Sequence, residues 1–218
     1  MKQIMSLAEV LDNLSRMPRT GGVLFAGMNP TYGDSLSDHS YKVTYLTLMF
    51  AKVAEKNGLE IDLAQTLTTA ITHDWSETIL LDIPSGSPSY QSYFKPTDIR
   101  HEVRLAETAA NEAIENFLRS DIELHVNGRL SGVEQAIVNL ADLVALLIEA
   151  LEWKYQHLGY EWLDYLWSNT LARANQIVKD SLPFMSDLLE ELQSRFDRGL
   201  KAPNPFLTKP EFQTRKPQ

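Results

Sequence analysis

Apolar residues recur at helical spacing along most of the chain. Leu7, Val10, Leu11 and Leu14 share one stripe of a first helix over residues 6–17, which Pro18 ends. Val43, Leu46, Met49, Phe50 and Val53 mark a second, running from Ser40 to the Asn57-Gly58 stop signal. Leu63, Leu67, Ala70 and Ile71 face inward from a third over about 61–76, with His73 and Asp74 near its end. A charged amphipathic fourth covers 98–119, with Val103, Leu105, Ala109, Ala113, Ile114 and Phe117 as its buried positions. The stretch 134–156 is apolar nearly all round, the pattern of a helix enclosed on every side. Two more helices follow, over about 161–179 and 183–198. No segment carries a convincing strand pattern, so the chain is expected to be all-α.

The polar punctuation divides these helices. PRTGGVLFAGMNPTYGDSLSDH and ILLDIPSGSPSYQSYFKP are rich in Gly, Pro, Asn and Asp and read as loops, the first long enough to carry function. There is no internal repeat. At 218 residues one domain is expected, over 1–200, with the Pro-rich basic segment 201–218 as an extended or disordered tail.

Composition acts mainly by exclusion. The absence of cysteine rules out disulfides, thiolate zinc sites, iron–sulfur clusters and cysteine nucleophiles, so any metal must be held by His, Asp or Glu. A net charge of −9 argues against a long nucleic acid as partner, since backbone binding needs a basic stripe. A small phosphorylated ligand needs only one or two cations and stays open. No apolar run approaches the roughly 20 residues that span a bilayer, and the N-terminus lacks the features of a signal peptide. A cytoplasmic protein with no membrane association is expected.

Three polar features do not fit a plain helical core. Asp142 lies within AIVNLADLVALLI with no Lys or Arg within one turn. Either it bonds a loop backbone or a distant arginine, or it is a metal ligand. His73 and Asp74 make the same demand from another helix, and His39 sits where the second helix begins. Imidazole and carboxylate together suit a divalent transition metal (Mn, Co, Fe, Ni or Zn) better than calcium. An HD dipeptide alone is weak; the set of four, each on the wall of a core helix, is what carries weight.

The order H, then HD, then a D in a long apolar helix resembles the HD-domain metal-dependent phosphohydrolases. LSRMPRTG (14–21), SDHSYKV (37–43), HDWSETILLDIP (73–84) and VNLADLVALLIEALE (138–152) are similar to the YfbR-like 5′-deoxynucleotidases and their HDDC-type relatives, over roughly residues 7–175. The resemblance implies an HD-domain helical bundle with additional C-terminal helices, usually a homodimer. It also implies hydrolysis of (deoxy)nucleoside 5′-monophosphates with one divalent ion. Carried over by position, His39, His73, Asp74 and Asp142 match the metal ligands, and Arg19 matches an arginine that holds the substrate phosphate. Glu77 matches a position near the nucleophilic water, with Asp74 beside it in catalysis; Asp82 matches the sugar end, and Ser85 lies in the same loop. Where some relatives carry tryptophan just after the arginine, or three residues on, this chain has Thr20 and Gly22.

Other readings remain at this point. Another HD hydrolase would act on nucleoside triphosphates, cyclic dinucleotides or other phosphomonoesters, and a non-catalytic helical protein would keep metal or nucleotide for structure or sensing. Arg19 as a surface arginine, Glu77 as a solvated helix end and Asp82 as a turn starter are the plain alternatives for those residues. His101, His125 and His157 have no motif context. Trp153, Tyr155, Tyr160, Trp162, Tyr165 and Trp167 are expected in packing or at a dimer surface.

Overall fold

The computed structural model describes residues 1–19, 33–82, 96–126, 130–157 and 160–199, and these are predominantly helical, with no strand among them. In chain order the helices are α1 (Lys2–Leu11), α2 (Leu36–Lys56), α3 (Leu63–Thr72), α4 (Glu77–Leu80), α5 (Pro96–Leu118), α6 (Gly132–Tyr155), α7 (Tyr160–Ser181) and α8 (Ser186–Arg198). Short 3-10 turns over Asp12–Arg16 and Pro183–Met185 extend α1 and precede α8. The tail 201–218 and the predicted loop residues 20–32 and 83–95, Thr20, Gly22 and Ser85 among them, lie outside the described residues.

α6 is the centre of the bundle, as its nearly continuous apolar surface requires: Ile137, Leu140, Val144 and Leu147 are wholly enclosed between α2, α3 and α7. Each such aliphatic side chain contributes about 1.5–3 kcal/mol on burial. Val43, Leu46 and Phe50 of α2 meet this face, as do Leu163, Trp167 and Ala174 of α7 and Leu189, Leu192 and Phe196 of α8. The C-terminal helix is thus part of the main core. Trp167 stacks on Phe196 with ring centroids 4.0 Å apart and donates its indole N–H to Gln193, while Lys154 lies over the Phe196 ring. Trp153 and Trp167 are therefore packing residues, as expected, whereas Tyr165 is largely exposed. The side chains of Tyr160 and Trp162 lie outside the described set. A second, smaller cluster joins Leu7 of α1 to Ile114 and Leu118 of α5 and to Val126.

Several buried faces differ from the sequence expectation. Met49 and Val53 on α2, Val10 on α1 and Ile71 on α3 are exposed. On α5 the register is turned by about one residue: Ala110, Ile114 and Leu118 are buried, whereas Leu105, Ala109, Ala113 and Phe117 face out. Helical stripes of small and large apolar residues permit neighbouring registers, and the packing partner selects one. α3 buries threonines instead of Ile71. Thr66, Thr69 and Thr72 each return their hydroxyl to a carbonyl four residues back, at 2.6, 3.0 and 2.8 Å, which lets them line a core without an unpaired donor.

Candidate metal centre

Two local devices fix the start of α2. Ser35 caps it reciprocally with Asp38: the Ser35 hydroxyl accepts from the Asp38 amide at 3.1 Å, and the Asp38 carboxylate accepts from the Ser35 amide at 3.0 Å. The chain before it is tied on by Leu36 N–H to Met17 O at 2.9 Å and Arg19 N–H to Asp34 O at 3.0 Å. Arg19 and His39 are therefore placed by the same junction. His39 stands in the first turn of α2 and is 2% exposed.

His73 and Asp74 do not sit inside a continuous helix, as the periodicity suggested. α3 ends at Thr72, His73 caps it, and residues 73–76 form tight turns closed by Trp75 N–H to Thr72 O and Glu77 N–H to Asp74 O before α4 begins. Glu77 consequently does not follow His73 by one regular helical turn. The interruption turns His73 and Asp74 toward His39: one ligating atom from each of His39, His73 and Asp74 lies within 4.8 Å of the other two. Asp142 adjoins this group from α6, its Oδ1 3.0 Å from His39 Nε2. Its side chain is 44% exposed, which corrects the expectation of a carboxylate sealed in the core.

The bonding within the group suits a cation. His73 Nδ1 lies 2.8 Å from Ala70 O, and since a carbonyl only accepts, Nδ1 carries the proton. That leaves Nε2 as the atom facing the carboxylates. It is buried, and Asp74 Oδ2 lies 3.0 Å from it. Backbone anchoring of the far ring nitrogen is how metal-binding histidines are commonly oriented. Burial acts against a charged His73, but Asp74 and then Asp142 outweigh it and raise its pKa to about 9. In the same way burial opposes ionisation of Asp74 and Asp142, yet His73 holds the first below the usual carboxylate range and the His39 hydrogen bond and charge hold the second far below it. His39 is pushed down, chiefly by burial and then by Arg19. A site that gathers two imidazoles and two ionised carboxylates so closely favours positive charge at its centre, which a divalent ion supplies. These four residues fit such an ion.

The remaining predicted residues converge on the same region. Arg19 is influenced by Glu149, Asp142, Asp74 and Asp82 together, which keep it charged against the cost of burial. Glu77 is mostly buried, its Oε2 without a hydrogen bond, and burial followed by Asp74 and Asp82 pushes its carboxyl up to about 9. Asp82 thus lies within electrostatic reach of both Arg19 and Glu77. It follows Leu81, whose φ of 65° and ψ of 165° are a conformation that side chains with a Cβ rarely adopt. Two carboxylates were missed from the sequence. Glu107 on α5 is pushed up by burial and then by Asp74, which places it within electrostatic reach of the group. Glu149 lies seven residues after Asp142, an i+7 spacing that puts both on one face of α6 and could have been read from the helical pattern. His101 and His157 are exposed, and His125 lies 3.7 Å from Glu115, away from this cluster.

Comparison with known proteins follows the same line. A conserved hypothetical protein from Pyrococcus furiosus superposes with a TM-score of 0.63 at 27% identity, over 87% of this chain and 99% of its own. A protein from Pyrococcus horikoshii OT3 gives 0.66 at 24% identity, over 87% and 98%. An HD-domain phosphohydrolase from Listeria innocua gives 0.59 at 21% identity over 90% and 99%, a likeness of fold. None of the curated proteins matches. Residues 7–182 match the model of the 5′-deoxynucleotidase YfbR-like family. The chain therefore belongs to the 5′-deoxynucleotidase YfbR-like family.

Proposed function

We propose that the protein is a 5′-nucleotidase that converts (deoxy)nucleoside 5′-monophosphates to nucleoside and inorganic phosphate, with His39, His73, Asp74 and Asp142 holding one divalent ion. The observation that carries this reading is the His73 imidazole, anchored through Nδ1 to Ala70, with its buried Nε2 3.0 Å from Asp74 Oδ2 and one ligating atom of each of His39, His73 and Asp74 within 4.8 Å of the others. When bound, such an ion supplies Lewis-acid polarisation of a phosphate oxygen and acidifies water. The chain supplies the rest. Arg19 offers a planar fork of donors for phosphate oxygens, and its buried Nη1 has no hydrogen-bond partner among the described residues.

Hydrolysis forms a bond from water oxygen to phosphorus and breaks the bond from phosphorus to the 5′-oxygen, which must gain a proton. Burial, followed by Asp74 and Asp82, favours the protonated form of Glu77. It is therefore suited to donate its proton to the leaving 5′-oxygen and, once ionised, to take up the proton released by the attacking water of the same turnover, which restores it. Asp82 serves as an acceptor for sugar hydroxyls on the Arg19 side. Ser85 is assigned to the same sugar contact, from the sequence resemblance alone.

A matrix of Mn, Co, Ni, Zn and Mg against a panel of ribo- and deoxynucleoside monophosphates tests this. Phosphate release with at least one metal, abolished by Asp74→Ala, is the expected result. No release from any monophosphate, or release of pyrophosphate from triphosphates instead, would overturn it.

A further inference from the structure

Glu149 lies two turns beyond Asp142 on the same face of α6, about 10 Å along the helix axis. It is 4% exposed, and both carboxylate oxygens are enclosed without a well-formed hydrogen bond; the Asp34 backbone adds the least of the effects that favour its charge. A buried carboxylate so poorly partnered is costly, and its retention calls for a compensating charge. The charged groups that act on it are Arg19, then Asp34 and Lys42; the Arg19 amide donates to the Asp34 carbonyl at 3.0 Å, which ties that residue to the same junction, and Asp34 and Lys42 pair with each other. Arg19 is thus the cation left to compensate Glu149.

The relation is reciprocal. Of the carboxylates that act on Arg19, Glu149 is the strongest, ahead of Asp142, Asp74 and Asp82. The Arg19 guanidinium is therefore pulled toward both ends of the α6 face, by Glu149 at one and by Asp142, with Asp74 beside it, at the other. A cation held by Asp74 and Asp142 would offset their pull, and Glu149, outside that cluster, would keep its own.

We propose that Glu149 is a positioning residue for Arg19, its charge drawing the guanidinium along α6 so that a gap remains between Arg19 and the His39–His73–Asp74 cluster for the substrate phosphate. This rests on the reading of Arg19 as the phosphate-binding group. Without the Glu149 charge, Arg19 is drawn onto Asp142 and Asp74, where it closes the gap. Glu149 itself is not a catalytic residue, since both of its oxygens are buried.

Glu149→Gln keeps the size and removes the charge, and it is compared with Arg19→Ala and the double variant in the metal-loaded protein. Three readouts apply, all taken above the raised Glu149 pKa of about 7 so that its carboxylate is ionised: steady-state kinetics on a deoxynucleoside monophosphate, calorimetric binding of inorganic phosphate, and thermal melting. Glu149→Gln is expected to raise KM and the phosphate Kd about tenfold, to leave kcat within about twofold, and to melt no lower than the parent, because an amide is easier to bury than a poorly partnered carboxylate. In the Arg19→Ala background it should change neither constant further. Unchanged KM and Kd in Glu149→Gln, while Arg19→Ala raises both, overturns the positioning role and leaves the phosphate role of Arg19 standing. Equal effects of Glu149→Gln with and without Arg19, or a fall in melting temperature not restored by Glu149→Asp, assign Glu149 a structural role and overturn the proposal. An Arg19→Ala variant that binds phosphate normally overturns both readings.

Discussion

The Nε2 atom of His39 stands 3.0 Å from Oδ1 of Asp142, across 103 residues of chain. This contact joins the first turn of α2 to the middle of α6, and Asp74 Oδ2 lies 3.7 Å from the same nitrogen. Removing the Asp142 charge while keeping its shape should therefore weaken any cation bound there. Asp142→Asn is expected to lower divalent-metal affinity by roughly 10- to 100-fold, a loss of the size seen when metal-site partners are removed. Calorimetric metal titration measures it, and unchanged affinity would place Asp142 outside the metal site.

Metal should also act on stability, because the donor set is preorganised only in the folded chain. At a free concentration 100 times its Kd, an ion bound to the native state alone adds about 2.7 kcal/mol. Thermal melting with Mn or Co against a chelator should show the rise, and Asp74→Ala should abolish the difference. Equal shifts in both proteins would mean that the ion binds elsewhere.

Glu149 predicts a pH dependence that is independent of activity. Burial first, with Asp34, raises its pKa to about 7 against the pull of Arg19 and Lys42, from an ordinary value of 4.5. The folded chain then binds more protons than the unfolded chain between these values, so this contribution is fully present below pH 4.5 and is lost as the pH rises to 7. Over that window it amounts to about 3 kcal/mol. Glu149→Gln lacks this dependence: its stability relative to the parent should grow by about that amount between pH 4.5 and 7 in denaturant titrations. Parallel pH curves for the two proteins would contradict the assignment.

Leu81 combines strain with exposure. Its φ is 65°, and its side chain is 63% exposed, so little burial depends on it. Leu81→Gly should raise stability by about 1 kcal/mol, the lower end of the cost of holding a side chain in that region. Chemical denaturation measures the change, and a loss of stability would show that the leucine side chain contributes more than its backbone costs.

Glycine and proline signals, apolar periodicity and the absence of cysteine were enough to establish the all-α class, most helix positions and the identity of the metal-site candidates. Asp142 stood out in sequence because a charge in an apolar helix demands a partner. The same periodicity misplaced the α5 register by one position and counted Met49, Val53 and Ile71 as buried, since a stripe says that a helix has an apolar face but its neighbour decides how that face is turned.

What only the tertiary structure decided was distance and environment. Sequence could name His39, His73, Asp74 and Asp142, but the break after Thr72 that turns His73 and Asp74 toward α2 depends on the Ala70 carbonyl and on packing beneath it. In the sequence Glu149 directly follows the apolar run AIVNLADLVALLI. Folding seals it from water beside Arg19, and since the free energy of a charge depends on its surroundings more than on its position in the chain, no reading of spacing could have assigned it that role.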